Sequence, residues 1–320
     1  VRPFLIVSLT LVCLTADAQD FGPIATRNHR ALSLAFLRFE PTANFLKYRE
    51  RSFQFGLVSA NDFRRVGNST SLVEEDQETE RLSFRYGEGM RNDYEWSVEV
   101  PILVRGGGVQ DPLIDWWHAN ILHWSDGLRN STPFGRSVVN VPGSSFGSAS
   151  GLGDISGFLA KNLGHGLTLT AGLKIPTGNA DQLLGSGNVD AGLYAQKAWS
   201  LGRRVYLHTQ LGVVAQGKAK DLDSARGLVH QEGLALVWQV NSRDAWVGQW
   251  QGESSAVVTG VPESDATHRL ITIGYKRKLS HTQILDLYFS EDRDLFSGNF
   301  PEGANIGPDF TMGARLNIRF

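Results

Sequence analysis

The chain has 320 residues, and its Lys+Arg total of 31 nearly cancels its Asp+Glu total of 33. No basic excess points to a nucleic-acid partner, and an aromatic content of 10% excludes an intrinsically disordered chain. The 35 glycines favour turns and strands over helices.

The first 18 residues read as an export signal. Arg2 is a positive start, Phe4 to Leu14 is apolar, and Ala16-Asp17-Ala18 is a small-x-small site that predicts cleavage before Gln19. Cys13, the only cysteine, lies within it, so the mature chain is expected to carry no disulfide and no thiolate metal site. Residues 19–50 are expected to form a periplasmic segment or a lumen plug ahead of a transmembrane barrel over 51–320.

Beyond the signal no apolar run is long enough for a membrane-spanning helix. The remaining pattern has a period of two. Tyr94, Trp96, Val98, Val100, Ile102 and Val104 share one face, with Glu95, Ser97 and Glu99 on the other. Leu167, Leu169, Ala171, Leu173 and Ile175 alternate with Thr168, Thr170 and Lys174 in the same way. So do Phe310, Met312, Ala314, Leu316, Ile318 and Phe320 with Thr311, Arg315 and Arg319. A soluble sandwich has this period too, with its oily face as core. Strands long enough to cross a membrane at a tilt, alternately short and long connections, and a terminal aromatic strand favour an all-β, antiparallel, up-and-down barrel in a bacterial (Gram-negative) outer membrane. The final strand, from Phe310 to Phe320, is the expected signal for the barrel-assembly machinery.

Twelve strands are predicted, near 51–60, 80–89, 93–104, 152–162, 166–175, 187–198, 204–216, 228–240, 245–255, 268–278, 282–291 and 310–320. Short turns fall at Met90, Gly164, Gly202, Asn241 and Ser280, and long loops at 61–79, 105–151, 176–186, 217–227, 256–267 and 292–309. Alternation then places every long loop outside. Residues 31–39 are a possible further strand, which leaves fourteen strands as the alternative. Trp199, Trp238 and Trp246 lie beside short turns, where an aromatic girdle is expected. Arg81, Arg85, Glu95, Glu99, Lys174 and Arg315 are the candidate lumen charges. A turn centred on Met90 sets Arg85 opposite Glu95 and Arg81 opposite Glu99, pairs that line a polar passage or brace a closed wall.

The longest loop holds one amphipathic helix, with Asp111 as N-cap, Pro112 at the first helical position and Gly127 as its stop. Ile114, Trp117, Ile121, Trp124 and Leu128 fall on one face, and the first four are candidates for capture or gating of a solute. A structural lid is the alternative use of the same face.

Gly22-Pro23-Ile24-Ala25-Thr26-Arg27-Asn28, Phe36-Leu37-Arg38-Phe39-Glu40-Pro41, Gly106-Gly107-Gly108 with Trp117-His118, and Glu291-Asp292 with Pro308-Asp309-Phe310 resemble the bacterial family called domain of unknown function 3187. That resemblance spans most of the mature chain and implies no activity. Gly151-Leu152-Gly153-Asp154 and Lys174-Ile175-Pro176-Thr177-Gly178 also look like stretches in barrels for hydrophobic compounds, including relatives of the long-chain fatty acid transporters.

Catalytic signals are thin. His208 and His281 are each followed by Thr where a Ser would be wanted for an outer-membrane lipid hydrolase, and the eight histidines are scattered. No catalytic residue, metal or cofactor is therefore expected. Two functions remain open: a passive channel for a small apolar or amphipathic solute, or a lipid hydrolase whose Ser and His meet only on folding. A structural barrel that presents its loops is a third. The expected partners are outer-membrane lipid, the assembly machinery and a small apolar solute.

Overall fold

Over most of the barrel alternate strand residues are buried; the inward set carries most of the polar side chains, together with apolar ones such as Val58, Ala235 and Val247, while the exposed set is mainly apolar. The computed structural model describes residues 21–42, 45–123, 131–292 and 310–320. Its strands are β1 Arg51–Gly67, β2 Leu72–Met90, β3 Tyr94–Gly106, β4 Val138–Val141, β5 Ser144–Phe146, β6 Ala149–Leu152, β7 Ile155–Gly164, β8 Leu167–Ile175, β9 Asp190–Ser200, β10 Val205–Ala215, β11 Leu228–Gln239, β12 Asp244–Glu253, β13 His268–Lys278, β14 Gln283–Asp292 and β15 Phe310–Arg319. The short β4, β5 and β6 belong to the outer loop between β3 and β7. The other twelve form one antiparallel barrel, in which β3 pairs with β7 and β15 closes onto β1, with Phe55 opposite Leu316.

The exposed residues form a belt. Leu57, Ile102, Leu159, Leu169, Leu211, Leu234, Ile273 and Leu287 all point outward from their strands. Leaving so continuous an apolar surface in water is unfavourable, whereas lipid accepts it, so the barrel is a membrane barrel of the bacterial outer-membrane kind. Trp238 and Trp246 are directly paired beside the turn at Asn241, at the periplasmic edge of the belt.

The interior is not empty. Residues 21–42 enter beside Lys276 and Lys278, climb along β12 and β13, turn over in the single-turn helix α1 (Ala31–Leu34), and descend past β8, β9 and β11. Three inward glycines give this internal hairpin its seat. A Cβ on Gly172 or Gly192 would collide with the Phe39 ring, and one on Gly274 would collide with Ile24. At the apex, Ala31, Leu32, Ala35 and Phe36 pack beneath Val66 at the top of β1 and outer-loop residues that include Val139, Phe146, Leu222 and Val257. Residues 31–39, the possible thirteenth strand, pair with no strand.

Three expectations need correction. Residues 61–79 are not a loop, because β1 and β2 continue as a hairpin to a turn at Asn68–Ser71. Both faces there are charged, with Arg64 opposite Glu75 and Arg65 opposite Glu74, so no amphipathic alternation marks these strands. The β2–β3 turn is centred on Asn92 rather than Met90, which places Arg85 opposite Glu99 and Arg81 opposite Leu103. Asn92 and Asp93 adopt positive φ, a conformation their short polar side chains tolerate, and this turn chemistry decides the register. Finally, the predicted helix is α-helical only over α2, Asp111–Trp117, and continues as a π-helical turn, His118–Leu122. Gly127 and Leu128 lie outside the described residues.

Candidate functional site in the filled lumen

The hairpin is built of short-range turns and extended backbone, so most of its N–H and C=O groups have no ladder to join. Wall amides take that role. Gln231 accepts from the Phe39 N–H at 2.9 Å and donates to the Phe39 carbonyl at 3.3 Å. Gln196 brackets Thr42 in the same manner, at 3.1 and 2.8 Å, and Gln251 donates to the Thr26 carbonyl at 3.1 Å. At the apex Arg27 donates to the carbonyls of Ser33 and Phe36, satisfying buried acceptors at and just beyond the C-terminal end of α1.

Ion pairs fasten the hairpin at three levels. Near its apex Arg30 pairs with Glu75 of β2 and contacts His268 of β13, which also meets Asn28 at 3.1 Å. Arg38 pairs with Glu253 of β12 at 3.0 Å, and Ser33 donates to the same carboxylate at 2.9 Å. Lower in the barrel, Glu40 accepts from Arg315 of β15 at 2.6 Å and from Arg81 of β2 at 3.3 Å, while Arg81 also pairs with Glu99. A carboxylate removed from water is costly unless paired, and here two guanidiniums share that duty.

Lys174 of β8 ties the hairpin to the outer loops. Its ammonium lies 2.5 Å from Asp154 and 3.3 Å from Asp190, and it donates to the Ala35 carbonyl at 3.1 Å. Asp190 in turn accepts the Leu37 N–H at 2.8 Å. Two gaps between hairpin and wall among the described residues, one beside Arg27, Phe39, Tyr194 and Gln210 and one beside Thr42, Leu46, Arg85 and Glu95, have room for a few water molecules.

The sequence pattern of a family described as a protein of unknown function, DUF3187, matches residues 4–312. The chain belongs to the DUF3187 family. No curated protein matches it. Among solved structures, the COG4313 outer membrane channel from Pseudomonas putida F1 is similar over 88% of this chain and 100% of its own, at 15% identity and a TM-score of 0.59. The NanC porin matches over 84% of this chain and 98% of its own, at 8% identity and a TM-score of 0.44. The CymD monoaromatic hydrocarbon channel matches over 86% and 87%, at 7% identity and a TM-score of 0.38. Of these the COG4313 channel bears on the fold, and what it shares with this DUF3187 protein is the barrel.

All six candidate lumen charges have their side chains inside the DUF3187 barrel. Arg81, Glu99 and Arg315 gather around Glu40, and Lys174 meets Asp154 and Asp190. Arg85 donates to Ser97 at 2.9 Å and lies 4.6 Å over the Phe158 ring, while Glu95 accepts the Leu46 N–H at 2.8 Å. The expected direct pair of Arg85 with Glu95 does not form.

The candidate capture residues are not brought together in the mouth. α2 lies outside the wall, with Ile114 buried against it, Trp117 half-buried and Ile121 exposed. Trp124 lies outside the described residues. Along the final strand, Phe310 packs edge-on against Phe289 at 4.9 Å, Met312 faces outward, and Phe320 is exposed.

Sequence reasoning missed Glu40, Arg30 and Arg38 on the hairpin, and Asp190 and Glu253 on the wall. The wall pair carries a readable signal: charges at inward positions of strands whose other face is oily demand partners inside.

Proposed function

We propose that this barrel is a passive outer-membrane channel for a small amphipathic solute, and that residues 21–42 are its internal plug, seated here in the shut position. The observation that carries this reading is the chemistry of the seat. A barrel filled only for rigidity is best served by apolar packing throughout, whereas this hairpin, beside apolar contacts such as Phe39 on Tyr194 and Ile24 with Val237, is fastened to its wall by Gln, Arg, Lys, Glu and Asp. Water can replace such partners when the hairpin shifts, so opening exposes groups that are readily hydrated. The water-sized gaps agree with a shut state. A purely apolar solute would have to cross this polar lining, which favours the amphipathic class. The name of the Pseudomonas putida channel agrees with passage, although the lining residues are the argument for it here.

Swelling of proteoliposomes tests the proposal. The intact protein should admit amphipathic solutes slowly, and variants that loosen the hairpin should admit them faster. Absence of flux for every solute, with the hairpin loosened and the barrel intact, would overturn it.

One contact favours a second reading, hydrolysis of outer-leaflet lipid esters. On the outward face near the outer rim, His230 Nδ1 stands 2.6 Å from Ser254 Oγ, a pairing that a serine nucleophile requires. The same hydroxyl also accepts the His230 backbone N–H at 3.2 Å, and no carboxylate orients His230 among the described residues. We therefore rank the channel first. Fatty acid release from labelled lipid that is lost in Ser254→Ala would reverse the order.

A further inference from the structure

Residues 107–123 leave the top of β3 and fold back over the outside of the barrel. Gly107 and Gly108 permit the reversal: a Cβ on the first would strike the Gly135 backbone, and one on the second, where φ is +58, would strike the Glu78 side chain. Polar groups then fasten the segment to β1 and β2. Asp111 accepts from Asn61 at 3.0 Å and from the Gly135 N–H at 2.9 Å, and Gln110 bonds to Glu78 and to Ser59. Arg136 holds the returning chain to Glu74 at 2.9 Å and to Asp76 at 3.2 Å. All these β1 and β2 partners stand on the outward face, and Ile114 of α2 is only 3% exposed.

With its polar side committed to the wall, the segment leaves an apolar side bare. Leu113, 47% exposed, and Trp116, 52% exposed, lie one turn apart on a single stripe of α2, and Val109 just before the helix, at 86%, and Ile121 in the turn after it are exposed as well. Asn61, the docking point, is about ten residues along β1 from Arg51, the length in which a tilted strand crosses the hydrocarbon. The stripe thus lies at the outer edge of the apolar belt, next to exposed Leu57, Ile102 and Val104 on β1 and β3. It continues the lipid-facing surface, and it offers a Trp at the depth where Trp favours a membrane interface.

We infer that α2, with the residues leading into it, is a membrane-interface element, and that Val109, Leu113 and Trp116 are covered by acyl chains of the outer leaflet. This holds whether or not the barrel conducts. Spin labels at Leu113→Cys and Trp116→Cys, in the full-length protein reconstituted in phosphatidylethanolamine and phosphatidylglycerol vesicles, test it. Both labels should be reached by oxygen in preference to a water-soluble nickel chelate, as a label at the belt position Leu234→Cys is, and unlike one at the outer-loop position Ser144→Cys. Preference for nickel at both positions would overturn the inference. So would spin–spin broadening that disappears on dilution with unlabelled protein, because a second copy would then cover the stripe. Should the cysteine variants fail to assemble, Trp116→Phe provides the second measurement. Bromine on the lipid chains should quench less of the total fluorescence in this variant than in the parent, and equal quenching would contradict the inference.

Discussion

Arg315, on the last barrel strand, holds Glu40 of the internal hairpin at 2.6 Å, deep inside the wall that this strand closes. Arg81 reaches the same carboxylate from the other side of β1, so Glu40 joins the hairpin to both neighbours of that strand. If the hairpin is a plug, Glu40 is where removal of one charge loosens it most.

Glu40→Gln takes the carboxylate from buried Arg315 and leaves Arg81 with Glu99 alone. Breaking a buried pair from one side costs about 3–5 kcal/mol, less whatever water recovers by entering. The expected outcome is a barrel that still migrates as heat-modifiable in electrophoresis, with faster solute entry in swelling assays. Entry unchanged from the parent would remove Glu40 from any gating role.

The glycine seats make a steric prediction. Gly172→Ala sets a methyl group against the Phe39 ring, an overpacking of about 1–3 kcal/mol that the hairpin relieves by shifting. Faster solute entry is expected, with reversal on adding Phe39→Leu. Gly248→Ala, whose Cβ meets nothing, is the control and should behave as the parent. Equal behaviour of all three variants would argue against close seating.

How much of this was legible in the sequence follows from what each element is made of. The strands were, because Trp96, Val98 and Val100 against Ser97 and Glu99 state both the period and the face. The upper halves of β1 and β2 were not: Arg64, Arg65, Glu74 and Glu75 make both faces polar and erase the alternation. The hairpin was legible only as a periplasmic segment or lumen plug, without its fastenings, since Glu40 has no meaning until folding brings Arg81 and Arg315 to it. The site of α2 was hidden for the opposite reason. Its docking partners Ser59, Asn61 and Glu78 stand on a face whose lower part meets lipid.

The register of β2 on β3 is open to a direct check. Arg85→Cys with Glu99→Cys should form a disulfide under mild oxidation, while Arg85→Cys with Glu95→Cys should not, because the first pair is directly opposite and the second is not. Preferential bridging of the second pair would restore a turn at Met90.

The outward belt predicts a cost for charge. Leu234 lies midway along β11 and faces outward, so Leu234→Arg should destabilise the barrel in bilayers by about 2–4 kcal/mol. Chemical unfolding in lipid vesicles measures this, and an unchanged midpoint would mean that the position meets water.

Conductance of a reversibly tethered hairpin in planar bilayers bears most directly on a gated lumen. Ser33 of the hairpin and Glu253 of β12 touch at 2.9 Å, so Ser33→Cys with Glu253→Cys can be bridged by a short reducible crosslinker. Opening events are expected before bridging, their loss after it, and their return on reduction. Conductance that is the same bridged and unbridged would contradict a hairpin that moves to open the channel.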